Sequence, residues 1–213
     1  MSCDSEALRP PPYWAEATAA LAASDPVIQA LIAQYPGVSL GTRGDPFHTL
    51  ARAIVGQQIS VKASDSVWAR LVARLGAVTP DAVLAVSPDD LRPCGLSGRK
   101  VEYLGDLASR FADGRVRPDR WASLPDDAVM AELVAVRGIG PWTAEMYLIF
   151  HEMRPDVFPL DDIGLQQAVA VHYHGGERPR RAALAAFGER WRPWRSVATW
   201  YLWRSLDPVP VAY

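Results

Sequence analysis

Residues 136–142 read Val-Arg-Gly-Ile-Gly-Pro-Trp, and the pair Asp161 and Asp162 follows about twenty positions later. Gly138 and Gly140 carry no Cβ, so the main chain there can lie close to another molecule. Pro141 suits the first turn of a helix, where a missing N–H costs nothing. A helix expected over 142–153 would then turn its unpaired N–H groups and positive dipole end toward whatever sits above the hairpin, and an anion is the natural guest. A carboxylate downstream of an anion grip is a chemical pairing. Each half also has a plainer meaning, because Gly-x-Gly between helices is a tight turn and an Asp ahead of a helix is an N-cap.

A third feature is the stretch 175–204. It holds seven arginines against Glu177 and Glu189, a local excess of +5, although the chain's net charge is −2. Trp191, Trp194, Trp200 and Trp203 lie within it, four of the eight tryptophans. Arginine mixed with aromatics suits a surface that meets phosphates and unstacked bases, and a solvated helix face accounts for the same charge.

These groups must be positioned by helices. Apolar residues recur at helical spacing in 46–57 (Phe47, Leu50, Ile54, Val55), 60–75 (Val67, Trp68, Leu71) and 97–111 (Val101, Leu104, Leu107, Phe111). Helices are also expected over 14–23, 26–34, 79–86, 87–92, 126–136, 163–171, 178–190 and 193–206. No alternation long enough for a strand occurs, so the fold class is all-α, with some ten helices. Residues 1–12, ending in three prolines, read as a tail, and 13–213 as the folded part. At 213 residues with 49% hydrophobic content the chain can bury a substantial core. Cys3 and Cys94 are too few for a disulfide framework or a four-cysteine iron–sulfur site. The four histidines make no diagnostic metal set, and Walker and Gly-x-Ser-x-Gly motifs are absent. With no signal peptide and no membrane-length apolar run, a cytoplasmic protein is expected.

The stretch from Val136 through Tyr147, together with Val157-Phe-Pro-Leu-Asp-Asp162, resembles the signature of the helix-hairpin-helix DNA glycosylase superfamily. Three further pieces resemble its alkylation-repair branch, the bacterial 3-methyladenine-DNA glycosylase II group: 53–60 (Ala-Ile-Val-Gly-Gln-Gln-Ile-Ser), 95–104 (Gly-Leu-Ser-Gly-Arg-Lys-Val-Glu-Tyr-Leu) and 192–203. They occur in the family's order over roughly 45–205.

The resemblance implies two helical lobes flanking a cleft, with lobe A at about 45–152 and lobe B at about 13–44 plus 153–213. It implies a base-excision enzyme that flips a damaged base out of double-stranded DNA and hydrolyses the N-glycosidic bond of alkylated purines. Asp162 matches the catalytic carboxylate, and Asp161 is read as its structural neighbour or cap. Trp142 and Trp203 match base-pocket aromatics, with Met146 standing where an aromatic is expected. Gln58 stands at the wedge that fills the vacated space. Gly138, Gly140 and Thr143 would contact a DNA phosphate, with an alkali cation at the hairpin as the one cofactor allowed for. Trp142 replaces the Schiff-base lysine of bifunctional members, which implies a monofunctional hydrolase without a lyase step. A compact, monomeric form without the group's N-terminal sheet domain is expected. The competing reading is a non-catalytic helix-hairpin-helix module that binds damaged DNA.

Overall fold

Capping residues set most helix starts. Asp25, Asp45, Ser60, Thr79, Ser87 and Ser97 each accept a backbone N–H from the first turn that follows, and Pro26, Pro46, Pro80 and Pro88 open four of those helices. The computed structural model describes residues 10–41 and 45–207. In chain order the helices are α1 (Trp14–Ser24), α2 (Pro26–Gln34), α3 (Pro46–Gly56), α4 (Val61–Leu75), α5 (Pro80–Leu84), α6 (Pro88–Leu91) and α7 (Gly98–Ala112). Then come α8 (Pro118–Trp121), α9 (Asp126–Val134), α10 (Pro141–Phe150), α11 (Ile163–Tyr173), α12 (Arg181–Gly188) and α13 (Arg195–Leu206). Among the described residues there is no strand, and no helix is long and apolar enough to cross a membrane.

Several boundaries differ from those expected. The four residues of α8 are too few to show a period. The helix expected from 178 begins at Arg181, with Pro179 disfavouring a helical Arg178 and Arg180 itself extended at ψ 151°. The helix expected to reach 153 stops at Phe150, and Met153 adopts a left-handed φ of 54°. Of the tail, residues 1–9, Cys3 among them, lie outside the described residues. Pro11 is buried, and its carbonyl accepts the Trp14 N–H at 2.9 Å.

Contacts divide the chain into two units, one of residues 44–147 and one of residues before 44 and after 147. In the first, Leu50, Ile54, Leu71, Leu104, Leu107 and Leu133 are wholly buried, each stabilising by about 1.5–3 kcal/mol. Trp121 is buried with them; its indole N–H donates to Glu132 at 2.7 Å, and Tyr147 meets its ring edge-on.

The second unit is organised around a buried charge. Asp25 caps α2 through Oδ1, which accepts from Val27 N and Ile28 N at 3.0 and 3.2 Å. The same oxygen accepts the Tyr173 hydroxyl at 3.0 Å, and Oδ2 accepts the Trp191 indole N–H at 3.0 Å. One carboxylate thus ties α2, α11 and the turn after α12 together. Burial, and then the Asp25 charge, push the Tyr173 hydroxyl well above the ordinary tyrosine range.

The arginine–tryptophan stretch departs from its expected role. Trp191 and Trp200 are core residues at 0% and 3% exposure, and Trp194 stacks on Tyr13. Arg195 donates to Asp156 through Nε and a terminal nitrogen, Arg192 pairs with Asp156 and Glu189, and Arg181 pairs with Asp161. Arg204 is buried against the Trp200 ring, where burial lowers its pKa. Asp156 and Asp161 thus answer two of the five excess positive charges.

Candidate active site

In the unit of residues 44–147 the glycine hairpin sits between α9 and α10, seated on α7. Arg137 N donates to Asp106 at 2.8 Å, and its guanidinium reaches Glu102 at 3.0 Å. Burial raises the Asp106 carboxyl, but the Arg137 N–H, Arg110 and Arg115 outweigh it and hold it below the usual carboxylate range. Tyr103, one turn along α7, lies under Gly138. A Cβ at Gly138 would meet its ring at 2.1–2.6 Å, and the backbone there is left-handed at φ +84°. Gly138 is therefore required by the protein's own packing as well. Gly140 is different: a Cβ there would meet nothing within 4 Å. Its carbonyl accepts the Ala144 N–H, so it heads α10, with the half-buried Thr143 in the first turn. The first N–H groups of such a helix lack intrahelical acceptors, which suits them to an anion.

The turn after α3 is joined to this hairpin. Gln57 Nε2 donates to Gly138 O at 2.8 Å, and Lys100 Nζ donates to Val55 O at 2.7 Å, with burial lowering the Lys100 pKa. Gln58, the next residue, is exposed at φ 59°, an uncommon conformation for a residue other than glycine. On α10, Trp142 is 43% exposed, whereas Met146 one turn later is buried at 6%.

In the other unit, the segment leading to Asp162 is fixed by packing. Val157 N donates to Ser196 Oγ at 2.9 Å, and the buried Phe158 ring fills the space beside Gly188, where a Cβ would lie 2.3 Å from it. Asp162 is the N-cap of α11 and is 9% exposed. Its Oδ1 accepts Leu165 N at 2.6 Å and the indole N–H of Trp203 at 2.8 Å. The Trp203 ring lies parallel to Phe150, with centroids 5.7 Å apart. The cap therefore belongs to Asp162, and the capping alternative for Asp161 is corrected: Asp161 is exposed and pairs with Arg181 at 2.9 Å. The result is a buried carboxylate of fixed orientation at the positive end of a helix, suited to stabilising a nearby cation.

Sequence reasoning missed Tyr103, Gln57 and Phe150, none of which belongs to a chemical residue pattern. Gln57 and Tyr103 carried the available signal, each inside a stretch already singled out, 53–60 and 95–104.

The family model of the HhH-GPD superfamily base excision DNA repair proteins matches residues 51–193. A putative DNA-3-methyladenine glycosylase of Bacillus subtilis is 30% identical over 84% of this chain, and the match spans 66% of that protein's length. The crystal structure of a DNA-3-methyladenine glycosidase from Bacillus halodurans superposes with a TM-score of 0.83 at 32% identity, covering 90% of this chain and 89% of that one. A Schizosaccharomyces pombe 3-methyladenine DNA glycosylase in complex with abasic DNA gives 0.75 at 27% identity, covering 93% and 98%. On its helices, its glycine hairpin and this match across most of its length, the chain belongs to the HhH-GPD superfamily of base excision DNA repair proteins.

Proposed function

We propose that this protein is a monofunctional DNA glycosylase that releases alkylated purines from double-stranded DNA. The observation that carries the reading is the Asp162 carboxylate, buried and held through Oδ1 by Leu165 N and Trp203 Nε1. The names of its relatives support the substrate class.

The target nucleotide leaves the stack at a cost of roughly a few kcal/mol. As the C1′–N bond breaks, its electron pair departs with the base and positive charge develops on the deoxyribose. Asp162 stabilises that charge, a water oxygen then bonds to C1′, and the water's proton passes to the carboxylate or to solvent. A purine alkylated on a ring nitrogen is often cationic and leaves readily, so one carboxylate suffices. Trp142 offers its partly exposed indole to such a base, an attraction of about 0.5–2 kcal/mol. Gln58, held outward in its left-handed turn, fills the gap in the duplex. Gly138, Gly140 and Thr143 hold a phosphate, and any alkali cation bound there would rest on hairpin carbonyls, hard oxygen donors that fit such an ion.

Incubation with single-lesion duplexes containing 3-methyladenine, 7-methylguanine, ethenoadenine or hypoxanthine tests the reading by base release. Release of at least one alkylated purine is expected, leaving an intact abasic strand; release of none would overturn it. The hairpin assignment has its own test. Gly140→Ala is expected to keep the wild-type melting temperature, because its methyl enters open space. It should weaken binding to every DNA sequence alike, by about tenfold, since phosphates carry no base identity. Gly138→Ala should instead lose about 2–4 kcal/mol of stability against the Tyr103 ring. Equal melting of the two variants would contradict this division of labour.

A further inference from the structure

We propose that Trp203 is a positioning residue whose indole N–H aims the Asp162 carboxylate, and that Gly164 preserves the space in which this contact is made; the proposal rests on the glycosylase reading above. A base-pocket wall uses the face of an indole. Here the edge is engaged: Nε1, the indole's one hydrogen-bonding atom, donates to Asp162 Oδ1 at 2.8 Å. Leu165 N reaches the same oxygen at 2.6 Å. Two donors from α13 and α11 converge on one atom and remove the rotational freedom a lone cap would keep. The indole is itself oriented by Phe150, 5.7 Å away and within 13° of parallel. Gly164 completes the arrangement. A Cβ on it would lie 3.1 Å from Asp162 Oδ1 and 3.2 and 3.3 Å from Trp203 Cδ1 and Nε1, driving donor and acceptor apart. Since a reacting group displaced slightly from its required place loses much of its effect, this contact bears on rate more than on affinity.

Trp203→Phe separates the two roles, because it keeps a ring on Phe150 and removes the N–H. The measurements are single-turnover release of 3-methyladenine and 7-methylguanine from methylated duplex and of hypoxanthine from a single-lesion duplex, with affinity for a duplex carrying a non-cleavable abasic analogue and thermal melting alongside. Expected is a slowing of about 10- to 100-fold, the size of one lost charge-assisted hydrogen bond. The factor should be the same for all three bases, with affinity and melting unchanged. In an Asp162→Asn background the same change should add no further loss, since both act through one group. Gly164→Ala, which retains the tryptophan, should also slow release of every base, and it carries the test should Trp203→Phe melt early. Wild-type rates in both variants, or a loss confined to one base, would overturn the positioning role alone. Wild-type protein that releases none of the three would overturn the glycosylase reading and this proposal with it.

Discussion

Asp162→Asn is expected to slow base release from methylated duplex by at least about 10²–10³-fold, the effect of removing a preorganised group that meets developing charge. The variant isolates charge from architecture. Asparagine is as good an N-cap as aspartate, and its carbonyl oxygen can still accept from Leu165 N and Trp203 Nε1, the two donors now on Asp162 Oδ1. Melting should therefore stay within about 1 kcal/mol of wild type, and affinity for duplex DNA should hold, since the phosphate contacts assigned to the hairpin are untouched. Quantifying released base in single-turnover reactions, with binding measured in parallel, checks both halves. Product formation at the wild-type rate would exclude Asp162 as the reacting carboxylate.

The second large effect concerns folding. Asp25→Ala should destabilise the protein by about 3–5 kcal/mol, because one truncation removes the cap of α2 and strands buried donors. Val27 N, Ile28 N, the Tyr173 hydroxyl and the Trp191 indole N–H all lose their acceptor. That is a large share of the 5–15 kcal/mol typical of a whole domain. Asp25→Asn should cost less, since its carbonyl can still cap α2 while its amide cannot accept from Trp191. Urea unfolding of the three proteins measures the series. A loss below about 1 kcal/mol for the alanine variant would show that the four donors find other partners.

The helices were legible in sequence wherever a cap and a period coincided, as at Ser60 and Ser97. They were less so where the deciding event was local, as with Pro179 delaying α12 or the single turn of α8. Asp162 could be named because its neighbours 157–161 and the glycine hairpin form a recognisable string. Its partner Trp203 could be named only as an aromatic of suitable spacing, because spacing does not say whether an indole offers its face or its N–H. Gly138 was legible as a glycine that must be glycine, but the cause, the Tyr103 ring 35 positions earlier, is a tertiary contact. The arginine-rich stretch misled for a similar reason. A local sum over 175–204 omits Asp156 and Asp161, the acids that pair with Arg195, Arg192 and Arg181.

That pairing alters the field the second unit projects. An isolated charge acts as a monopole, whereas a guanidinium locked to a carboxylate acts as a dipole, whose potential falls faster with distance and is screened further by the roughly 8 Å Debye length of physiological salt. From far away the five excess charges of the stretch act as three, because Asp156 and Asp161 answer two of them. A polyanion therefore gains less from it at long range than the sum over 175–204 alone implies.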